Sequence, residues 1–144
     1  MKISAKTEYA CIAMLELASR FGSGEPVRIR KIAERHDVPP RFLVQILLQL
    51  KGAGLVTSTR GAAGGYHLNR APDQVTLGEV MRVIEGGSKN ENRTTSASPD
   101  SPAVKALAQA WNDVEQVQRE MLNRITFAEL LEKARGHDDR MYYI

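Results

Sequence analysis

Cys11 is the one cysteine in 144 residues. A disulfide framework is therefore excluded, and a reducing compartment, the cytoplasm, is the expected home. No run of about 18 apolar residues occurs, so no membrane span is expected. The opening MKISAK lacks the apolar segment and cleavage site of a secretory leader. Also missing are a nucleophile–base pair, metal-ligand spacing and the Gly-Lys-Ser/Thr ending of a nucleotide loop, so an enzyme is not expected. His36, His67 and His137 lie far apart in the chain. A histidine metal site would need tertiary convergence, and none is expected.

What is present is unevenly charged. Residues 1–70 hold 11 Lys/Arg against 5 Asp/Glu, a net +6, and residues 71–144 hold 9 against 12, a net −3. Cationic surface in the first half attracts phosphate and releases its counterions.

The most patterned stretch lies in that half, at residues 41–68. Leu43, Ile46, Leu47 and Leu50 follow the three-and-four spacing of one buried helical face. Gly52 and Gly54 stop the helix. Two short β-prone runs follow, residues 55–59 and 66–68, joined by the glycine-rich tip Arg60-Gly61-Ala62-Ala63-Gly64-Gly65. A helix feeding a small cationic hairpin is the layout of a winged helix-turn-helix, which fits a helix into the DNA major groove. Duplex DNA is the expected partner.

Earlier in the chain, Ser4 is placed to cap a first helix over about residues 5–20. Its Ala10, Ala13, Met14, Leu17, Ala18 and Phe21 fall at helical spacing, widened by Ile12 and Leu15. Cys11 lies among these, and of its two readings, a redox sensor or an inert packed thiol, the packed thiol is the expectation. Lys6, Thr7 and Tyr9 occupy the first turns, within expected reach of phosphate. Pro26-Val27-Arg28 reads as extended, a third short strand for the hairpin. Residues 29–36 form a short helix with Ile29, Ile32 and Ala33 inward, and His36-Asp37-Val38-Pro39 the turn. Proline suits the start of the following helix.

On that helix the outward positions are Arg41, Val44, Gln45, Leu48, Gln49 and Lys51. Glutamine pairs with adenine, arginine with guanine or phosphate, and valine touches a thymine methyl. Leu48 is expected to pack instead. Arg60, at the base of the tip, suits the minor groove. The expected DNA-contacting set is Lys6, Thr7, Tyr9, Arg28, Pro40, Arg41, Val44, Gln45, Gln49, Lys51, Thr59, Arg60, Gly61 and Gly64.

Thr76-Leu77-Gly78-Glu79 is a capping box for another helix, with Leu77, Val80, Met81 and Ile84 inward and Gly86-Gly87 closing it. Residues 88–102 contain one apolar side chain, Ala97, and read as a mobile loop. A long helix follows from Ala103. Val104, Leu107, Trp111, Val114, Met121 and Ile125 form a coiled-coil-like seam, interrupted by Gln118. Pairing of this seam with a second copy would present two recognition helices to two half-sites. Thr126-Phe127-Ala128-Glu129 opens a short helix with Phe127, Leu130, Leu131 and Ala134 inward, ending at Gly136. A charged, then apolar tail closes the chain.

The expected fold is mainly α with a small β wing: a winged helix-turn-helix domain over residues 1–87, a flexible loop over 88–102, and a dimerisation helix, short helix and tail over 103–144. Nearly the whole chain resembles the Rrf-two family of bacterial transcription regulators, which includes iron–sulfur, nitric-oxide and cysteine regulators. The resemblance is carried by Lys6, Tyr9-Ala10 and Ala13-Met14-Leu15, by Ile32-Ala33-Glu34-Arg35, and by Leu43 with Gln45. It continues through Gly54-Leu55-Val56, Arg60-Gly61, Gly64-Gly65-Tyr66, Thr76-Leu77-Gly78-Glu79 and Glu85-Gly86. It implies a homodimer bound to a promoter operator, usually as a repressor.

Two departures qualify the resemblance. Cluster-binding members carry three cysteines in the loop before the long helix, and residues 88–102 contain none. Iron needs thiolate or an equivalent ligand, so no iron–sulfur cluster and no other cofactor is expected. Val44 stands where the iron–sulfur subgroup tends to place Glu, so the operator should differ from that subgroup's. The effector stays open. The competing reading is a winged helix that binds protein, since shape alone does not fix function. It would call for an apolar recognition face, against which Arg41, Lys51 and Arg60 argue.

Overall fold

In a computed structural model, which describes residues 1–86 and 97–141, the chain folds around its first helix. Helix α1 (Ala5–Ser19) starts at Ser4, whose Oγ accepts the Thr7 amide at 3.1 Å. Its alanines, Ala10, Ala13 and Ala18, are buried with Met14 and Leu17. Small side chains let neighbouring elements close in from several sides. Helices α2 (Ile29–His36), α3 (Pro40–Gly52), α4 (Leu77–Glu85) and α6 (Phe127–Met141) all pack on α1. That is why its apolar residues are not confined to one stripe.

Among the described residues Glu16 is the buried charged side chain, a carboxylate only 4% exposed. Its oxygens meet Arg35 at 3.4 Å and His36 at 3.1 Å. A buried carboxylate without such partners would be costly, so these contacts fix the end of α2 on α1. Asp37 then takes the left-handed conformation, φ 54°, and turns the chain. Pro40 opens α3, where its missing N–H has no helical bond to lose. Leu43, Ile46, Leu47 and Leu50 are buried, as the spacing predicts.

Strands β1 (Val56–Thr59) and β2 (Gly65–Leu68) pair antiparallel, with Val56 opposite Leu68 and Thr59 opposite Gly65. The extended segment before α2 joins them through one bridge: Val27 and Tyr66 exchange two backbone hydrogen bonds, 2.9 and 2.8 Å. Gly65 permits this approach, because a Cβ there would lie 2.5 Å from the Val27 carbonyl oxygen.

A 3₁₀ turn (Pro72–Gln74) leads to α4. Thr76 caps α4 by accepting the Glu79 amide, while the Glu79 carboxylate pairs with Arg70 rather than reaching back to Thr76. Gly86, at φ 70°, ends α4. The expected closing Gly87 and most of the expected mobile loop, residues 88–96, lie outside the described residues.

Helix α5 (Pro102–Leu122) extends about 31 Å at 1.5 Å per residue. It buries no residue. It touches the rest at its C-terminal end, where Asn123 accepts a hydrogen bond from Arg82 at 3.0 Å. Thr126 then caps α6 by accepting the Glu129 amide. Two expectations for this end of the chain need correction. Helix α6 does not stop at Gly136 but runs on to Met141, since an isolated glycine weakens a helix without ending it. Nor does α6 belong with α5 as a separate unit. Phe127 is wholly buried in the main core, and the segment is sewn in by Leu77 N–H to Ile125 O and Phe127 N–H to Val75 O, each 3.0 Å.

Candidate nucleic-acid interface

The buried face of α3 fixes what the opposite face shows. With Leu43, Ile46, Leu47 and Leu50 held in the core, Arg41, Val44, Gln45 and Leu48 stand outward and exposed, with Pro40 at the start of the helix. Leu48 is 57% exposed and Val44 47%. The expectation that Leu48 packs is therefore overturned: it lies on the side of the helix away from the core.

Arg41 does not hang free. Its guanidinium carbon lies 5.0 Å from the centroid of the Phe42 ring, a cation–π distance. The Phe42 ring is itself 5.7 Å from that of Tyr9, tilted by 36°. Tyr9 packs against the core from α1. The three side chains thus form a ledge that ties the first turn of α3 to α1. Phe42 was not singled out by its sequence position. An aromatic flanking Arg41 carries no signal until Tyr9 is seen beneath it.

At the other end of α3, Lys51 Nζ donates to Ser58 Oγ on β1 at 2.7 Å, which joins α3 to the wing. Thr59, Arg60 and Gly61 are exposed at the wing tip. Gly61, at φ +106°, makes the turn and accepts the Gly64 amide at 2.9 Å. Arg28 is exposed at the start of α2, and Lys6 is half-exposed in the first turn of α1.

Three of the expected contact residues stand elsewhere. Thr7 is buried, and its hydroxyl donates to Glu85 Oε1 at 3.0 Å and accepts from Ser4. It links α1 to the end of α4 and is withdrawn from the surface. Gly64 is buried in the tip, where a Cβ would come 2.2 Å from the Thr59 carbonyl oxygen. Its role is to let the tip close. Gln49 is half-buried, with its Oε1 covered and unpartnered in the described structure.

The side chains that would hold a metal do not gather. Among the described residues no three His, Cys, Asp or Glu side chains come together around one point. Cys11 is half-buried on α1, and burial, with the Glu8 charge adding to it, pushes its thiol from 9.0 up to about 11. Such a thiol is protonated at neutral pH and is a poor metal ligand. The residues present do not fit a thiolate-bound iron–sulfur cluster. No helix among the described residues is long and apolar enough to cross a membrane.

The seam expected on α5 is on display. Leu107, Trp111, Val114 and Met121 are each 51–59% exposed, while Val104 and Ile125 are half-buried. Val117, which the spacing had not included, extends the stripe at 62%.

Comparison with known proteins adds three likenesses. The family model for Rrf2, described as an iron-dependent transcriptional regulator, matches residues 3–133. The HTH-type transcriptional regulator CymR of Bacillus subtilis is 34% identical over 145 residues, covering all of both chains. Its solved structure, titled as the global cysteine regulator, superposes with a TM-score of 0.78 at 32% identity, covering 92% of this chain and 98% of that one. The HTH-type transcriptional regulator IscR of Sodalis glossinidius is 34% identical over 132 residues, 91% of this chain and 79% of that one.

Proposed function

Because the chain belongs to the Rrf2 (Rrf-two) family of DNA-binding transcriptional regulators and is not an enzyme, we propose that it represses transcription in the cytoplasm as a homodimer bound to a promoter operator. Helix α3 enters the major groove and the wing lies over the adjacent minor groove. The observation that carries this reading is the shared exposure of the α3 face and the wing tip, coupled by the Lys51–Ser58 hydrogen bond. Arg41, Gln45 and Val44 supply contacts to base edges, and Arg60 the minor-groove cation. Lys6, Arg28, Lys51 and Thr59 supply phosphate contacts that position the helix.

What supports the dimer is the uncovered apolar stripe of α5. A helix of 21 residues without one buried side chain needs a cover. A second copy of the same stripe supplies it by two-fold symmetry.

The family's description names iron, yet an iron–sulfur cluster is not part of this proposal, for want of thiolates in residues 88–102. Gel-shift titration of the chain's own promoter against random DNA, at several salt concentrations, tests the reading. Specific binding should exceed non-specific binding at each salt, and Arg60→Ala should weaken it by about 1–3 kcal/mol. Equal affinity for both DNAs would refute operator binding, and an unchanged Arg60→Ala would remove the wing's role.

A further inference from the structure

We infer that Leu48 is a sequence-reading residue: with Val44 it forms a methyl-sensing stripe on α3 that selects thymine at two neighbouring positions of the operator. This deepens the duplex-binding reading above and rests on it. The two side chains are 57% and 47% exposed. They are one helical turn apart, about 6 Å along the axis. At about 100° per residue, Leu48 falls between Arg41 and Val44 around the helix, on the side away from the buried Leu43, Ile46, Leu47 and Leu50.

A single exposed leucine needs no explanation. Two branched apolar side chains at one-turn spacing, with Arg41 and Lys51 on the same helix, form a more selective surface. Its complement must be anionic at the edges and apolar at the centre. The major groove at a T·A pair has both properties, with phosphates on its walls and the thymine C5-methyl on its floor. Gln45 stands beside Val44 and three residues from Leu48, and its amide suits the adenine of the same kind of pair. Six ångströms of helix spans at most about two base-pair steps of 3.4 Å, so the two thymines are near neighbours.

The test begins with operator selection by the full-length chain from a random-sequence duplex pool. Each selected thymine is then replaced singly by deoxyuridine, which removes the C5-methyl and leaves every hydrogen-bonding group in place. Two positions no more than about two base pairs apart should each lose roughly 4-fold in affinity, the effect of one buried methyl-sized group. In Leu48→Ala the loss at one position should vanish. In Val44→Ala the loss at the other should vanish. Leu48→Gln serves as a second variant with good helix propensity, and unchanged melting of each variant confirms folding. Penalties that persist in both variants, or an operator indifferent to deoxyuridine, overturn the inference and leave Leu48 to a protein contact. A chain that enriches no sequence from the pool refutes the duplex reading itself, an outcome distinct from the first two.

Discussion

An alanine at position 65 would place its Cβ 2.5 Å from the Val27 carbonyl oxygen, 2.7 Å from its carbon and 3.0 Å from its nitrogen. All three atoms are backbone, so no side chain can rotate out of the way. Relief requires the Val27 segment to withdraw from β2. The bridge between Val27 and Tyr66 then opens, with loss of hydrogen bonds of 2.9 and 2.8 Å. At about 1 kcal/mol net for each bond, that loss comes to about 2 kcal/mol. Partial exposure of the buried Val27 side chain adds about 1 kcal/mol. The sum, about 3 kcal/mol, is a large share of a typical domain stability of about 5–15 kcal/mol. For a chain of this length it corresponds to a fall in Tm of roughly 10 °C. Thermal unfolding of Gly65→Ala beside the parent, at equal protein concentration, provides the assay, with hydrogen exchange at the Tyr66 amide as the local readout. An unchanged Tm together with continued protection of that amide would refute the reasoning. It would mean the wing tolerates a Cβ where the structure leaves room only for hydrogen.

Other expectations follow from the same structure. Phe127→Ala should destabilise the fold by about 3–5 kcal/mol, the usual cost of truncating a fully buried aromatic. A loss below about 1 kcal/mol in denaturant titration would show that α6 is not part of the core. Gly136→Ala, inside α6 and with open space around the new Cβ, should stabilise by about 0.5–1 kcal/mol in the same titration. Cys11, its thiol held near 11 by burial, should be about 0.1% thiolate at pH 8. Its alkylation by iodoacetamide should therefore lag far behind that of free cysteine and speed up only as pH approaches 11. A rate matching free cysteine at pH 8 would contradict the packing of α1. Anaerobically purified protein should be colourless, and stoichiometric iron and sulfide would contradict the expectation that no cluster is bound.

Local chemistry made much of this architecture readable from the residues alone. Ser4, Thr76 and Thr126 each precede a helix, and each hydroxyl accepts the amide three residues on. The spacing of Leu43, Ile46, Leu47 and Leu50 placed the buried face of α3, and the glycines at 61, 64 and 65 placed the hairpin tip. Even the Val27 bridge was legible, as an extended segment beside Pro26.

What escaped the sequence depends on distant neighbours. Thr7 looked free in the first turn of α1, but its partner, Glu85, is 78 residues away. Phe127 showed an inward position on a short helix, yet nothing local told that the core it enters is built around α1. Leu48 falls at an outward position by period while its apolar chemistry suggests packing, and the period is the better guide. Phe42 became part of the Arg41 site only because Tyr9 comes up beneath it from another helix.

Hydroxyl-radical footprinting of the chain on its selected operator tests most directly whether two copies joined through α5 address one duplex. Two symmetry-related protected tracts should appear, centred about one helical turn, 10–10.5 base pairs, or a whole multiple of it apart. A single asymmetric tract at saturating protein, or no protection anywhere, would contradict the account.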